Sequence, residues 1–218
     1  MVINMTSEIK VITLDLDGVL FDGSSAAFIV AERVGLAEQY MALFQRMSKE
    51  NMNLRKSVIE GSKIWRGITI DDSYKGLIDS LPLMSGAAET VDTLKAWGYE
   101  VGCISSGVSQ FFMEPFTKRL NLNFAYSNIL GSENGAHDGT VKYIMGGPEK
   151  AETILKHAQE NGYSKENVAS VGNGLNDIEL FKVSAFSIAY NPVDKRVSDI
   201  ASVTVNSKDL RSILHYFR

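Results

Sequence analysis

The sequence predicts an α/β fold built on a mostly parallel sheet, with a small all-helical segment inserted after the first strand. Three observations predict it. Short runs rich in β-branched and apolar residues recur at 10–16, 99–104, 167–171, 185–189 and 202–205, as buried parallel strands do. Helical patterns lie between several of them, at 87–97, 148–161, 177–183 and 208–217. Strands alternating with helices indicate a parallel sheet with crossover helices. Residues 22–83 have no convincing strand and instead carry helical patterns at 24–36, 38–47, 53–65 and 71–80.

The first strand reads Lys-Val-Ile-Thr-Leu-Asp-Leu, and Asp17-Gly18 ends it. The helical segment that follows is rich in Met and aromatic residues, among them Met41, Phe44, Met47, Met52 and Trp65. These read as helix-packing core, with the alternative that one or two of them line a pocket. Leu81-Pro82-Leu83 brings the chain back to the sheet. Residues 128–145 break the rhythm, because Gly131, Asn134-Gly135 and Asp138-Gly139 punctuate apolar runs and predict a β-hairpin. The expected division is a core of residues 1–21 and 84–218, with 22–83 as a separate helical unit.

A chain of 218 residues, 44% hydrophobic, is long enough for one good core with a smaller satellite. Its formal net charge of -4 argues against a broad nucleic-acid-binding surface. The lone cysteine, Cys103, excludes an intrachain disulfide and a Cys-based zinc site, and a reducing cytoplasm is the natural compartment. Residues 1–8 show no basic-then-apolar signal pattern, and no apolar stretch is long enough to span a membrane. Nothing in the sequence specifies an oligomeric state.

Four short segments carry candidate chemistry. Asp15-Leu16-Asp17-Gly18-Val19-Leu20 places two carboxylates where a buried strand ends, the position at which open α/β sheets bind ligands. A carboxylate in an apolar run is costly unless paired. Mg²⁺, which takes oxygen ligands, would pair with it. One Asp can then attack phosphorus while the other handles protons. The plain alternative is a turn-forming Asp-Gly with a hydrogen-bonded Asp15. Cys103-Ile104-Ser105-Ser106-Gly107 ends another predicted strand with small hydroxyl residues and a glycine, suited to an anion or simply to a capped loop. Lys150 follows Pro148 and Glu149 in the first turn of a predicted helix. A cation there opposes the helix dipole and needs solvent or an anion. Gly172-Asn173-Gly174-Leu175-Asn176-Asp177 follows a strand and reads either as a capped turn or as oxygen ligands for a metal and its waters.

Taken in order, these four segments resemble the four-motif signature of haloacid dehalogenase superfamily phosphatases. The helical insert, the 128–145 hairpin and the closing Ser207–Leu214 stretch resemble the phosphoserine phosphatase branch. The resemblance covers roughly residues 9–218. It implies a Rossmann-like core with residues 22–83 as a cap, and a Mg²⁺-dependent hydrolase for a small phosphorylated metabolite. It implies Asp15 as nucleophile and Asp17 as proton donor and then base. It implies Ser105, Ser106 and Gly107 as the phosphate cradle, with Lys150 as the neutralising cation. Mg²⁺ would be bound by Asp15, the Asp17 carbonyl and Asn173, with Asp177 ordering metal-bound water.

Two departures alter what the resemblance implies. Asn173 stands where the family commonly has Asp, which removes one negative charge and implies weaker metal binding. The acidic residue and arginine with which the phosphoserine branch reads its substrate fall on Ser24 or Ser25 and on Gly61. A small phosphate monoester other than phosphoserine is therefore expected, unless Arg55, Lys63 or Arg66 substitutes. The alternatives are a phosphotransferase or mutase on the same scaffold, a non-catalytic phosphate-binding protein, and a dehalogenase, which Asp17 speaks against.

Overall fold

The computed structural model describes residues 8–218. The signal-pattern reading of residues 1–8, and the start of the expected core unit, therefore lie almost wholly outside the described residues. Among the described residues, seven strands form one sheet in the order β4-β3-β2-β1-β5-β6-β7. They are β1 (Val11–Leu14), β2 (Glu100–Ser109), β3 (Phe124–Glu133), β4 (Ala136–Tyr143), β5 (Val168–Gly172), β6 (Phe186–Tyr190) and β7 (Val203–Val205). All neighbouring pairs are parallel except β3 and β4. The predicted parallel α/β fold is thus the one observed. Every residue of β1 is buried because helices cover both faces of a central parallel strand.

The helical insert forms α1 (Ala26–Arg33), α2 (Ala37–Lys49), α3 (Leu54–Ile64) and α4 (Asp72–Asp79). α1, α3 and α4 are shorter than their sequence patterns because a capping side chain sets each start, whereas α2, which has no side-chain cap, runs longer than its 38–47 pattern. Ser25, Asn53 and Asp71 accept backbone N–H bonds at the heads of α1, α3 and α4. The crossover helices are α5 (Ala87–Ala96), α6 (Gln110–Arg119), α7 (Gly147–Glu160), α8 (Ile178–Lys182) and α9 (Lys195–Ile200). Periodicity does not mark α6, which carries Pro115 inside it, or the single-turn α9. The closing 208–217 pattern is a 3₁₀ stretch, Leu210–Tyr216, rather than an α-helix.

The expected hairpin is present within 128–145, with Ile129 opposite Tyr143, although its first strand begins earlier. β3 first pairs in parallel with β2 through residues 124–126, then turns antiparallel to β4. Asn134-Gly135 closes it with both φ angles positive, 51° and 77°, as a two-residue hairpin turn requires. The segment after α3 then adds to this hairpin. Gly67 N–H donates to the His137 carbonyl (2.8 Å), His137 N–H to the Ile68 carbonyl (2.9 Å), and Ile70 N–H to the Gly135 carbonyl (2.8 Å). The helical insert is therefore tied to the sheet at the hairpin as well as at its two ends.

Candidate active site

β1 delivers two carboxylates to the C-terminal edge of the sheet. The Asp15 N–H donates to the Val171 carbonyl (2.9 Å), which extends the β1–β5 pairing by one residue. Gly18 then turns the chain at φ 75°. A Cβ at Gly18 would lie 2.2 Å from the Asn173 side-chain amide. Glycine is needed there both for the turn and for the close approach of residue 173. Asp17 Oδ1 accepts the Ala26 N–H (2.7 Å) at the head of α1. A Cβ at Gly107 would come within 2.2 Å of Asp17 Oδ2. Asp17 is thus held by one oxygen on α1, while the other lies against bare backbone of β2.

Lys150 reaches this edge from the first turn of α7 and is fully buried. Its Nζ donates to Asp15 Oδ1 (2.8 Å) and to Asp177 Oδ1 (2.7 Å). The other oxygen of Asp177 accepts the N–H groups of Asn173 and Gly174, both at 3.0 Å. Asp177 therefore buckles the 172–177 turn and holds the lysine at once, so both of its oxygens are engaged. A buried ammonium is costly without such partners. Burial lowers the Lys150 pKa, but the two carboxylates outweigh it and hold the group above its ordinary value.

The 105–107 segment is not the loop that its sequence suggests. β2 runs on to Ser109, but its register with β3 breaks between Ile104 and Ser109. In that break, Ser105 Oγ accepts the Gly107 N–H (3.1 Å). Asn128 Nδ2 donates to the carbonyls of Ser106 (2.8 Å) and Val108 (2.9 Å), and its Oδ1 accepts the Met145 N–H (2.8 Å). Asn176 Nδ2 donates to Ser106 Oγ (3.1 Å). Sequence reasoning overlooked Asn128 and the Ala26 N–H. Asn176 lies within the 172–177 motif, but nothing in the sequence gives it this contact. Asn128 carries no local signal, since its role depends on β3 lying beside β2.

Asp15, Asp17 and Asp177 thus share the edge with one ammonium, leaving two negative charges in excess when all are ionised. Burial pushes the Asp15 pKa up to about 6; the Asp177 charge adds to this and Lys150 opposes it. Burial pushes Asp17 up to about 7, opposed by the Ala26 N–H. This excess suits a divalent cation. The donors at hand, the Asp15 carboxylate, the Asp17 carbonyl and the Asn173 amide, are hard oxygen donors of the kind Mg²⁺ takes. Among the described residues, no three His, Cys, Asp or Glu side chains surround a common metal position. Mg²⁺, which keeps several waters and uses one or two carboxylates plus substrate phosphate, requires no such cluster.

A cavity of about 270 Å³ opens beside Asp17, Ser106 and Gly107, under α1–α3. Phe44, Met47 and Trp65 line it, whereas Met41 faces solvent. Ser24, Ser25 and Gly61 also line it, and Arg55, Lys63 and Arg66 do not. Arg55 pairs with Glu149, Lys63 with Glu60 (2.6 Å), and Arg66 Nε donates to the Asp138 carbonyl (2.9 Å).

The sequence from residue 9 to 184 matches the model of the haloacid dehalogenase-like hydrolases. The chain belongs to this family. Among curated members, it is 28% identical over 217 residues to the phosphoserine phosphatase of Methanocaldococcus jannaschii, covering 98% of this chain and 100% of that one. It is 28% identical over 204 residues to the phosphoserine phosphatase of Archaeoglobus fulgidus, of which it spans 58% of the length. It is 33% identical over 186 residues to that of Haemophilus influenzae, again covering 58% of the relative. Among solved structures of the hydrolase fold, it superimposes on a phospho-aspartyl intermediate analogue of phosphoserine phosphatase with a TM-score of 0.82. The identity is 25%, and 97% of this chain and 100% of the other are covered. A substrate-bound phosphoserine phosphatase gives the same TM-score of 0.82 at 25% identity, covering 96% of this chain and 99% of the other.

Proposed function

We propose that this hydrolase is a Mg²⁺-dependent phosphatase that cleaves a small phosphate monoester through an aspartyl-phosphate on Asp15. The observation that carries this reading is the buried Lys150 bridging Asp15 and Asp177 beside Asp17. Asp15 attacks phosphorus, and the bond to the leaving oxygen breaks. Asp17 gives its proton to the departing alkoxide. A pKa near neutrality suits that work. Asp17 then takes a proton from water, whose oxygen attacks the aspartyl-phosphate, releasing phosphate and regenerating the Asp15 carboxylate. Ser105, Ser106 and the 106–107 backbone N–H groups hold phosphate oxygens. Lys150 offsets the repulsion between an anionic nucleophile and an anionic ester. Mg²⁺, held by Asp15, the Asp17 carbonyl and Asn173 with Asp177 beside them, supplies further neutralisation of the transferring group.

The acidic chain acts on a phosphorylated metabolite rather than on nucleic acid. No helix among the described residues is long and apolar enough to cross a membrane. The buried free thiol of Cys103 is at home in a reducing cytoplasm. Phosphate release over a broad ester panel, with Mg²⁺ and with EDTA, tests the proposal. Asp15→Asn is expected to lower turnover by about a thousandfold or more, and turnover near the wild-type rate would overturn it. Release of free phosphate without an acceptor separates a hydrolase from a phosphotransferase.

A further inference from the structure

The cavity beside Asp17 is close in size to the lower end of ordinary small-molecule sites. Its walls are made by Val30, Leu43, Phe44, Val58, Trp65 and Phe112. Apart from Asp17, no Asp, Glu, Lys, Arg or His is among the described residues that line it. Its polar side chains are largely spent on the protein itself. Trp65 Nε1 donates to the Tyr40 hydroxyl (2.5 Å). The hydroxyl of Ser57 donates to the Asn53 carbonyl (3.0 Å), and that of Ser62 to the carbonyls of Ile59 (2.8 Å) and Gly139 (3.1 Å). Ser25 Oγ caps α1. Away from Asp17, which faces the reacting centre, a ligand ammonium moved here would lose its water and find no charged partner, and a ligand carboxylate would find no cation anywhere on the lining. An apolar group would gain burial at no such cost.

We infer that this cavity takes the organic half of the substrate, and that the substrate is a phosphate monoester of a neutral, largely apolar alcohol, alkyl or aromatic. Amine- and carboxylate-bearing esters such as phosphoserine are excluded by the same walls. This rests on the phosphatase reading above, because the cavity meets the reacting groups at Asp17, Ser106 and Gly107.

The test compares kcat/KM for n-alkyl phosphates from ethyl to hexyl, phenyl phosphate, phosphoserine and phosphoethanolamine at one Mg²⁺ concentration. The alkyl series is expected to rise by roughly three- to fourfold per methylene, with both charged esters at least about tenfold below hexyl phosphate. A flat alkyl series, or phosphoserine ahead of the butyl ester, overturns the inference. Binding to the Asp15→Asn protein separates this failure from failure of the phosphatase reading. Trp65 fluorescence in a Trp97→Phe background reports it, since the chain has two tryptophans. Tighter binding of hexyl phosphate than of phosphoserine supports the cavity assignment even if no ester is turned over; equal or weaker binding sinks it. Gly61→Arg is the reverse test. Leu43 Cδ2, at 3.7 Å, is the nearest atom to a Cβ built there, so a side chain has room to enter. The variant is expected to lose hexyl phosphate turnover by about tenfold and to favour carboxylate-bearing esters. An unchanged order of esters counts against the inference.

Discussion

At Asn173 the proposed metal site turns on a single side chain. It stands against Gly18, next to the carboxylates of the β1 edge. An amide oxygen is an adequate ligand for Mg²⁺ but brings no charge. Asn173→Asp is expected to lower the Mg²⁺ concentration for half-maximal activity several-fold, because a charged ligand raises cation affinity. A Mg²⁺ titration of initial rates checks this, and an unchanged midpoint speaks against residue 173 as a ligand. Lys150 sets the opposite limit. It is the one cation in contact with Asp15 and Asp177 among the described residues, and a buried charge in such a network cannot be removed without stranding its partners.

At the scale of elements, the seam between the hairpin and the segment after α3 carries a titratable group outside the reacting centre. His137 lies on β4, packed among Trp65, Tyr74 and Phe111. It is 3% exposed, and neither ring nitrogen has a hydrogen-bond partner. Burial lowers its pKa from 6.5 to about 4, while neighbouring Asp138 pulls it back up. A folded-state pKa below the unfolded one means that the unfolded chain binds the proton first. Stability is therefore full above about 6.5 and falls as the pH drops toward 4. The loss is expected to be on the order of 2–3 kcal/mol, the most that a shift of this size can supply. Urea unfolding across that pH window measures it. His137→Phe keeps an aromatic ring in the cluster and should remove this part of the slope; an identical slope in the variant rules His137 out as its source.

For the whole molecule, the sheet edge gathers three carboxylates around one ammonium, so cation binding and folding should be linked. Saturating Mg²⁺ at about a hundredfold over its Kd stabilises the native state by about 2.7 kcal/mol, or roughly 5–10 °C in Tm for a chain of this length. Thermal unfolding with Mg²⁺ and with EDTA should show this shift, and Asp15→Asn should shrink it. An equal shift in the variant places the cation elsewhere. The link matters for turnover too, because the helical segment above the site is fastened at its two ends, at the hairpin, by Arg55 to Glu149 of α7, and by Arg119 of α6 to the Ile78 and Leu81 carbonyls. Any motion that admits substrate must carry the hairpin along or open the Gly67, Ile70 and His137 bonds, and must also part Arg55 from Glu149.

The sequence by itself determined the parallel α/β fold and the family, because both are written in local terms. Strand-length apolar runs alternate with helical patterns, and chemically distinctive residues such as Asp15, Asp17 and Asp177 sit where those runs end. Ser105 is legible for the same reason, and Lys150 as a cation in the first turn of a helix, where the dipole disfavours it. Tertiary structure alone decided the rest. Phe44, Met47 and Met41 look alike in sequence, but the rotation of α2 against its neighbours turns the first two into a cavity and the third to water. Asn128 became a brace for residues 106 and 108 only once β3 lay beside β2. A side chain's type is carried by its own residue, whereas the face it presents, and the charge it meets there, belong to elements distant in the chain.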